Sequence, residues 1–198
     1  NAILQRRTAK TGMVTNRGFR DVLEIGRQSR SELYNLNVDR PAPLAPWELR
    51  FGLPERVDHH GAIVEDLLPE AIQTCVHLIE EAEVDSIAVS FLFSFLNPAH
   101  EEAVLAALEK LPNNPFISIS SKVLPEFREY ERTSTVVVNS YEGEEKNKHK
   151  AVQDKLNLPV VHLDALFWEP GWRESDPAVF RQRVTEALAG GRWITDGI

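Results

Sequence analysis

The spacing of hydrophobic and polar residues changes repeatedly along the middle of the chain. Pro69 begins a segment whose apolar residues Ile72, Val76 and Ile79 fall on one helical face. Residues 87–93 then form an almost continuous apolar run, which is typical of a strand covered on both faces. The pattern predicts a helix followed by a buried strand.

The alternation continues towards the C-terminus. Asn97 and Pro98 cap and begin a second helix with apolar positions at Val104 and Leu108, and residues 116–120 read as a second strand. Helices that alternate with buried strands indicate parallel α/β layers. The predicted fold class is therefore α/β.

Turn residues and shorter apolar segments mark the elements on either side. Asn16 is a candidate cap for a short helix with Asp21 in its first turn, where a carboxylate suits the helix dipole. A turn at 58–61 predicts a hairpin. The remaining predicted elements are strands at 11–15, 48–57, 62–67, 158–163 and 192–195, and helices at 19–26, 129–141 and 177–188.

Composition narrows the possible partners and compartment. The net charge of -8 argues against binding to nucleic acid phosphates, and the longest apolar run is too short to cross a membrane. Cys75 is the single cysteine, so no intrachain disulfide can form, and we expect a reducing, cytoplasmic location. Cys75 lies in a helical apolar pattern and is predicted to be a core residue rather than a nucleophile.

Three motifs occur in order across the first 140 or so residues, at 17–28, 97–101 and 123–134. They read Arg-Gly-Phe-Arg-Asp-Val-Leu-Glu-Ile-Gly-Arg-Gln, Asn-Pro-Ala-His-Glu and Val-Leu-Pro-Glu-Phe-Arg-Glu-Tyr-Glu-Arg-Thr-Ser. Together they resemble the hydantoinase/oxoprolinase family, which also includes acetone carboxylase subunits. We therefore interpret residues 1–143 as an incomplete N-terminal-type domain of that family.

The resemblance implies a partial actin-like (ribonuclease H-like) domain and an ATP-dependent enzyme that opens or carboxylates small carbonyl substrates, such as the cyclic amides 5-oxoproline and hydantoins. A ring amide is a poor electrophile, and phosphorylation of its oxygen creates a leaving group, so the protein positions and stabilises charge. ATP and a divalent metal are expected only for a complete family member.

Basic and acidic residues of these motifs are candidates for binding substrate or phosphate, because guanidinium groups suit such anions. The candidates are Arg17, Arg20, Asp21, Arg27 and Arg132. An ion pair is the competing interpretation for each arginine, and Glu24 is a possible partner for Arg20 on the same helical face. The catalytic residues stay unknown.

The histidines give weaker signals. His59 and His60 lie in a predicted turn, where adjacent side chains rarely point at one ion, so no metal site is expected there. His100, near the start of a helix, is predicted to make local hydrogen bonds rather than to act as a base. His77 is predicted to be a surface or boundary residue of the helix that carries Ile72.

Elements of the complete family are missing from the sequence. No glycine-rich Asp-Val-Gly-Gly-Thr hairpin is present, and Asn1 corresponds to a position just beyond it; Phe93 stands where many relatives have His. We therefore expect a fragment that is inactive alone and is completed by another subunit or by self-association.

Residues 144–157 form a charged junction, and residues 158–198 resemble a small P-loop nucleotide kinase related to adenylate kinase. The resemblance rests on the motifs at 159–172 and 192–197, in which Asp164 and Asp196 would lie near the phosphate site. Residues 139–147 occupy the place of the P-loop but lack its Gly-x-x-x-x-Gly-Lys pattern. A small α/β kinase-like fragment is therefore predicted, without nucleotide binding.

Three functions stay open at this point. The first is an inactive part of an ATP-dependent hydantoinase or 5-oxoprolinase. The others are a degenerate nucleotide kinase and a non-catalytic fragment that binds a partner.

Overall fold

The computed structural model describes residues 9–28, 42–156, 160–169, 173–190 and 194–196. The chain divides into two compact units, whose main bodies are Arg6–Glu145 and Lys146–Ile198. Within the described ranges, no helix has the length and apolar character needed to cross a membrane.

The first unit carries most of the regular structure. In chain order its elements are β1 (Thr11–Asn16), α1 (Val22–Ile25), a 3-10 turn (Trp47–Leu49), β2 (Arg50–Leu53), β3 (Arg56–Val57), β4 (Ile63–Glu65), α2 (Pro69–Glu81), β5 (Ser86–Ser90), α3 (Ala99–Leu108), β6 (Phe116–Ile119), α4 (Ser120–Val123) and the start of α5 (Glu129–Leu156). Four strands form one sheet in the order β2-β1-β5-β6, and every neighbouring pair is parallel. The predicted α/β class is confirmed.

Helices cover both faces of this sheet. On one face Val14 and Val89 of the central strands pack with a cluster that includes Ile79 of α2 and Val104 of α3. On the other face the packed residues come from β1, β5 and α5, and are Met13, Ala88, Val136 and Val137. Coverage on both faces explains why β5 is apolar without alternation.

The predicted hairpin is much shorter in the structure. Residues 48–57 do not form one strand, because Pro54 lacks a backbone donor and the chain leaves the sheet there. β2 joins the parallel sheet beside β1, and only β3 pairs with β4, through Arg56↔Glu65 and Val57↔Ile63.

Helix boundaries also differ from the predictions at both ends of the unit. The helix predicted at 19–26 is only α1, and Asp21, not Asn16, is its N-cap residue. Asn16 is buried at the end of β1 instead. α5 begins at Glu129 as predicted but continues to Leu156, through the charged junction.

The second unit is small. Its elements are β7 (Val160–His162), α6 (Leu163–Phe167), β8 (Trp168–Glu169), β9 (Arg173–Glu174), α7 (Pro177–Ala187) and β10 (Ile194–Asp196). β7 pairs with β10 in parallel, and β8 pairs with β9 antiparallel. Asp176 caps α7 by accepting a hydrogen bond from the amide of Ala178 at 2.8 Å.

Candidate functional site

Buried polar residues collect where the parallel strands end. Because parallel strands share one direction, their carboxyl ends lie at a single edge, and ligands of open α/β sheets bind outside that edge. Asn16 ends β1, Ser90 ends β5, Ser120 follows β6 and Glu55 follows β2, and each is at most 4% exposed. We call this cluster, together with the groups that contact it, the carboxyl edge.

Asn16 closes the crevice between the two central strands. In the sheet, β2 lies on one side of β1, and β5 and β6 lie on the other. The strand order therefore reverses between β1 and β5, which is the topological switch point. The Asn16 Oδ1 accepts the amide of Leu92 at 2.8 Å, and its Nδ2 donates to the Glu55 carbonyl at 3.1 Å and to the Glu55 carboxylate. Side chains of the protein itself occupy the usual ligand position.

His100 joins a buried carboxylate to an exposed one. Its Nδ1 lies 2.6 Å from Glu55 Oε2, and its Nε2 lies 3.1 Å from Asp66 Oδ1. Burial raises the pKa of Glu55, although the hydrogen bonds and charge of His100 and the Asn16 amide act in the opposite direction. The prediction of a local role for His100 is wrong, because both partners are distant in sequence.

Glu101 is fully buried and organises the end of β5. Its Oε1 accepts the amide of Phe91 at 3.0 Å and the hydroxyl of Ser120 at 2.6 Å, and its Oε2 accepts the amide of Ser121 at 2.8 Å. The Ser120 hydroxyl is also 3.0 Å from that of Ser94. One carboxylate therefore links the segments that follow β5 and β6.

Arg132 supplies the positive charge at this edge. It is 1% exposed, and its Nη groups donate to the carbonyls of Glu126 at 2.7 Å and Phe91 at 2.8 Å. Burial lowers the pKa of Arg132, and the charges of Glu101 and Glu129 oppose that shift. In the described part of the chain its Nε has no partner. Arg132 therefore fixes the backbone at Glu126 and Phe91, and it does not point its hydrogen-bond donors at a ligand site.

The side chains of Glu101, Asn16 and Arg132 meet at the segment after β5. Phe91 and Leu92 leave the strand because the side chains of Glu101 and Asn16 take their amides, and Phe93 has a left-handed φ of 55°. The strand predicted to reach residue 93 therefore ends at Ser90. Ser90 and Ser94, which interrupt the apolar run, were the sequence signal for this buried network.

The ATP and metal that the resemblance implies do not fit this edge. Phosphate needs bare backbone amides, and those of Phe91, Leu92 and Ser121 already bond side chains. Within the described residues, no group of three or more His, Cys, Asp or Glu is placed to hold a metal ion.

Two of the predicted arginines line a cavity whose lining also includes Leu53 and Pro54 at the end of β2. Arg17 and Arg20 lie with Arg50 in the lining of a space of about 530 Å³ beside β2. Arg50 is 1% exposed and bonds the Ala45 carbonyl, the Arg20 carbonyl and Glu24 at 2.9–3.0 Å. Sequence reasoning missed Arg50, which takes the Glu24 partner proposed for Arg20.

The other motif residues have partners of their own. The Arg27 guanidinium lies 2.9 Å from Glu131, and Asp21 accepts the Trp47 indole N–H at 2.9 Å. Arg20 and Arg27 both lie outside α1, one on each side of it. Arg17 and Arg20 therefore lie in the same cavity lining. Arg27 and Arg132 bond to other parts of the unit, Arg27 to Glu131 and Arg132 to backbone carbonyls.

The remaining titratable residues have structural positions. Cys75 is 5% exposed and burial raises its pKa to about 12, so its predicted place in the core is confirmed. His77 lies at the surface as predicted, 3.4 Å from Glu81. In the turn at 58–61, Asp58 accepts the amides of His60 and Ala62, and these hydrogen bonds lower the pKa of Asp58.

The kinase-like candidates lie in the second unit. Asp164 is in α6, and Asp196 ends β10 with His162 as its register partner. Residues 139–147, where a P-loop would lie, are inside α5, whose amides bond along the helix.

Comparison with known proteins gives the family. The hydantoinase/oxoprolinase N-terminal region matches residues 1–111. The acetophenone carboxylase gamma subunit of Aromatoleum aromaticum is 32% identical, with 96% of this chain and 28% of the relative covered. Caprolactamase subunit alpha of Pseudomonas jessenii is 28% identical with the same coverage. None of these matches supports the resemblance to P-loop kinases.

A solved structure agrees with the sequence matches. The crystal structure of the ATP-dependent caprolactamase from Pseudomonas jessenii has a TM-score of 0.71 and 30% identity to this chain, covering 79% of it and 23% of the caprolactamase chain. The chain spans less than a third of the length of the curated relatives named here. On the match to residues 1–111, the chain belongs to the hydantoinase/oxoprolinase family.

Proposed function

We propose that this chain is the α/β scaffold part of an ATP-dependent enzyme that hydrolyses cyclic amides, and that it is inactive alone. The observation that carries the proposal is its likeness to the ATP-dependent caprolactamase, at 30% identity over 79% of the chain. Caprolactam is a cyclic amide, so the relative's name fixes the substrate class to test. An actin-like arrangement of the complete enzyme and a cytoplasmic location belong to the same proposal.

The carboxyl edge supports a scaffold role. Chemistry on an amide through ATP needs groups that hold phosphate where charge develops. At this edge Glu101 and Asn16 already accept the free amides, and Arg132 donates to carbonyls. The phosphate site must therefore come from other residues, either from further sequence of the enzyme or from a complementing subunit.

The relatives' names are consistent with such a partner. The acetophenone carboxylase and caprolactamase relatives are both named as subunits, gamma and alpha. For this chain we expect a complementing subunit or self-association rather than independent activity.

ATP turnover tests the proposal directly. Purified chain with Mg²⁺, ATP and either ε-caprolactam or 5-oxoproline should release no more phosphate than a blank. A chimera tests the scaffold role: residues 9–143 replace the matching segment of the caprolactamase alpha subunit. We expect the chimera to keep caprolactam-dependent ATP hydrolysis, and the same chimera with Glu101→Ala to lose it.

Two results would contradict the proposal. One is ATP hydrolysis by the isolated chain that increases with added cyclic amide. The other is a soluble, folded chimera that assembles with its subunit yet has no activity, which would mean that the segment is not equivalent. The nucleotide kinase alternative is supported by no observation here, and heat on titration with ATP alone would be needed to revive it.

A further inference from the structure

The cavity beside β2 has a basic wall and an apolar wall. Arg17, Arg20 and Arg50 contribute to one side, with Glu48 as the acidic residue of the lining. On the other side the lining comes from α2, with Ala71, Thr74, Cys75 and Leu78. A volume of about 530 Å³ is within the range of small-molecule sites.

The basic wall has unused hydrogen-bonding capacity. Arg50 is fully engaged, as described above, whereas among the described residues Arg20 donates only through Nη2, to the Trp47 carbonyl at 3.0 Å. The Arg20 Nε is buried and has no partner among the described residues. Arg17 is exposed and, in the same ranges, its side chain makes no hydrogen bond or ion pair. The accessible guanidinium of Arg17 is therefore open to an anion.

Close packing holds the two arginines beside the strand. A methyl group added at Gly52 would lie 3.3 Å from Arg17 Cα and 3.6 Å from Arg20 Cδ. Arg20 also lies over the Trp47 ring, 4.0 Å from its centroid. The missing side chain at Gly52 and the ring of Trp47 therefore fix the positions of Arg17 and Arg20.

We propose that this cavity binds the carboxylate of a small organic acid that has an apolar body. Guanidinium groups take the carboxylate, and the α2 wall receives the apolar part. A free phosphate would leave that apolar wall unused. The link to catalysis rests on the proposed function, because hydrolysis of a cyclic amide releases a carboxylate, with the freed amine at the other end of the same molecule; the binding itself rests on the cavity alone.

Titration of the full chain with hexanoate tests the proposal, and hexanamide is the neutral control. Calorimetry gives the affinity, and Trp47 fluorescence reports contact because Arg20 lies on its ring. We expect saturable binding of hexanoate with a change in emission, no response to hexanamide, and no emission change in Trp47→Phe. Arg17→Ala should weaken binding about tenfold, and Arg17→Lys less, since Lys keeps the charge but not the fork.

Arg27→Ala is the matched control, because Arg27 is an exposed motif arginine that pairs with Glu131 outside the cavity. It should bind hexanoate like the wild type. The proposal is overturned if hexanoate gives no heat, if hexanamide binds equally, if Arg17→Ala binds unchanged, or if inorganic phosphate binds more tightly. No ATP is used, so failure of the ATPase tests leaves this result unaffected, and failure here leaves the ATPase tests unaffected.

Discussion

The carboxyl edge and the cavity beside β2 both contain charged residues of the family motifs, but these charges are compensated in different ways. At the edge Arg132 and Glu101 are almost completely buried, and backbone groups or each other's charge compensate them. In the cavity Arg17 is exposed, and its side chain has no hydrogen-bond or ion-pair partner among the described residues. A buried charge needs hydrogen bonds or an opposite charge within the protein, whereas water can solvate an exposed charge until a ligand binds.

The difference separates residues that hold the fold from residues that are available for binding. Removal of a group at the edge should leave a buried donor or charge unsatisfied and should destabilise the unit. Removal of Arg17, the exposed arginine of the cavity, should change binding and leave stability almost unchanged. The following variants test that separation.

Glu101→Ala should have the largest effect. It removes the acceptor for the Phe91 and Ser121 amides and the charge that compensates Arg132. Glu101 accepts three hydrogen bonds, and each buried donor left without its acceptor costs about 1–3 kcal/mol, so the loss should exceed that of the other variants. Urea unfolding followed by circular dichroism measures the loss. Glu102→Ala, one residue on and exposed, is the control and should stay near wild type; equal stability of the two variants would remove the distinction.

Asn16→Ala should have an intermediate effect. The variant leaves the Leu92 amide and Glu55 without their buried partner, at a cost of about 1–3 kcal/mol. Arg17→Ala, at the next position but in the cavity lining, should change the unfolding free energy by less than about 0.5 kcal/mol. A larger loss for Arg17→Ala than for Asn16→Ala would reverse the assignment of the two regions.

Glu55 should make stability depend on pH. Burial raises its pKa above the ordinary 4.5, so the folded chain holds the proton more tightly than the unfolded chain. Unfolding free energy should therefore fall as pH rises from 4.5 through the raised value. Glu55→Gln cannot ionise and should lack this part of the decline. If the difference in stability between wild type and Glu55→Gln is constant over that window, the burial argument is wrong.

Arg27→Ala should have the smallest effect. The pair with Glu131 lies at the surface, with the Arg27 side chain 66% exposed, and water screens such pairs. The urea midpoint should not move measurably at physiological salt. A clear drop would show that this motif arginine belongs with the buried group.

The α/β class and the main helices could be predicted from the sequence, because buried apolar residues recur at a spacing that differs between helices and strands. The helices at Pro69 and Ala99 and the strands β1, β5 and β6 follow from spacing and proline positions. The short hairpin was harder to predict, since the two-residue β3 has too few positions to show an alternation.

The carboxyl edge could not be predicted from local pattern. Asn16 has the residue type of a helix cap and His100 lies near a helix start, but their partners lie 39–76 and 34–45 residues away. Parallel strands bring such residues together only after the sheet forms. The usable signal was that a polar residue stands at or just after the end of each strand.

Native-state hydrogen exchange of the amides of Phe91, Leu92 and Ser121 tests the central claim, that side chains already hold the groups a phosphate would need. All three lie outside the strands, yet Glu101 and Asn16 accept their hydrogens. We predict that they exchange as slowly as the amides within β5. Exchange at the rate of an unprotected loop would contradict the account, because the edge would then be open to a ligand.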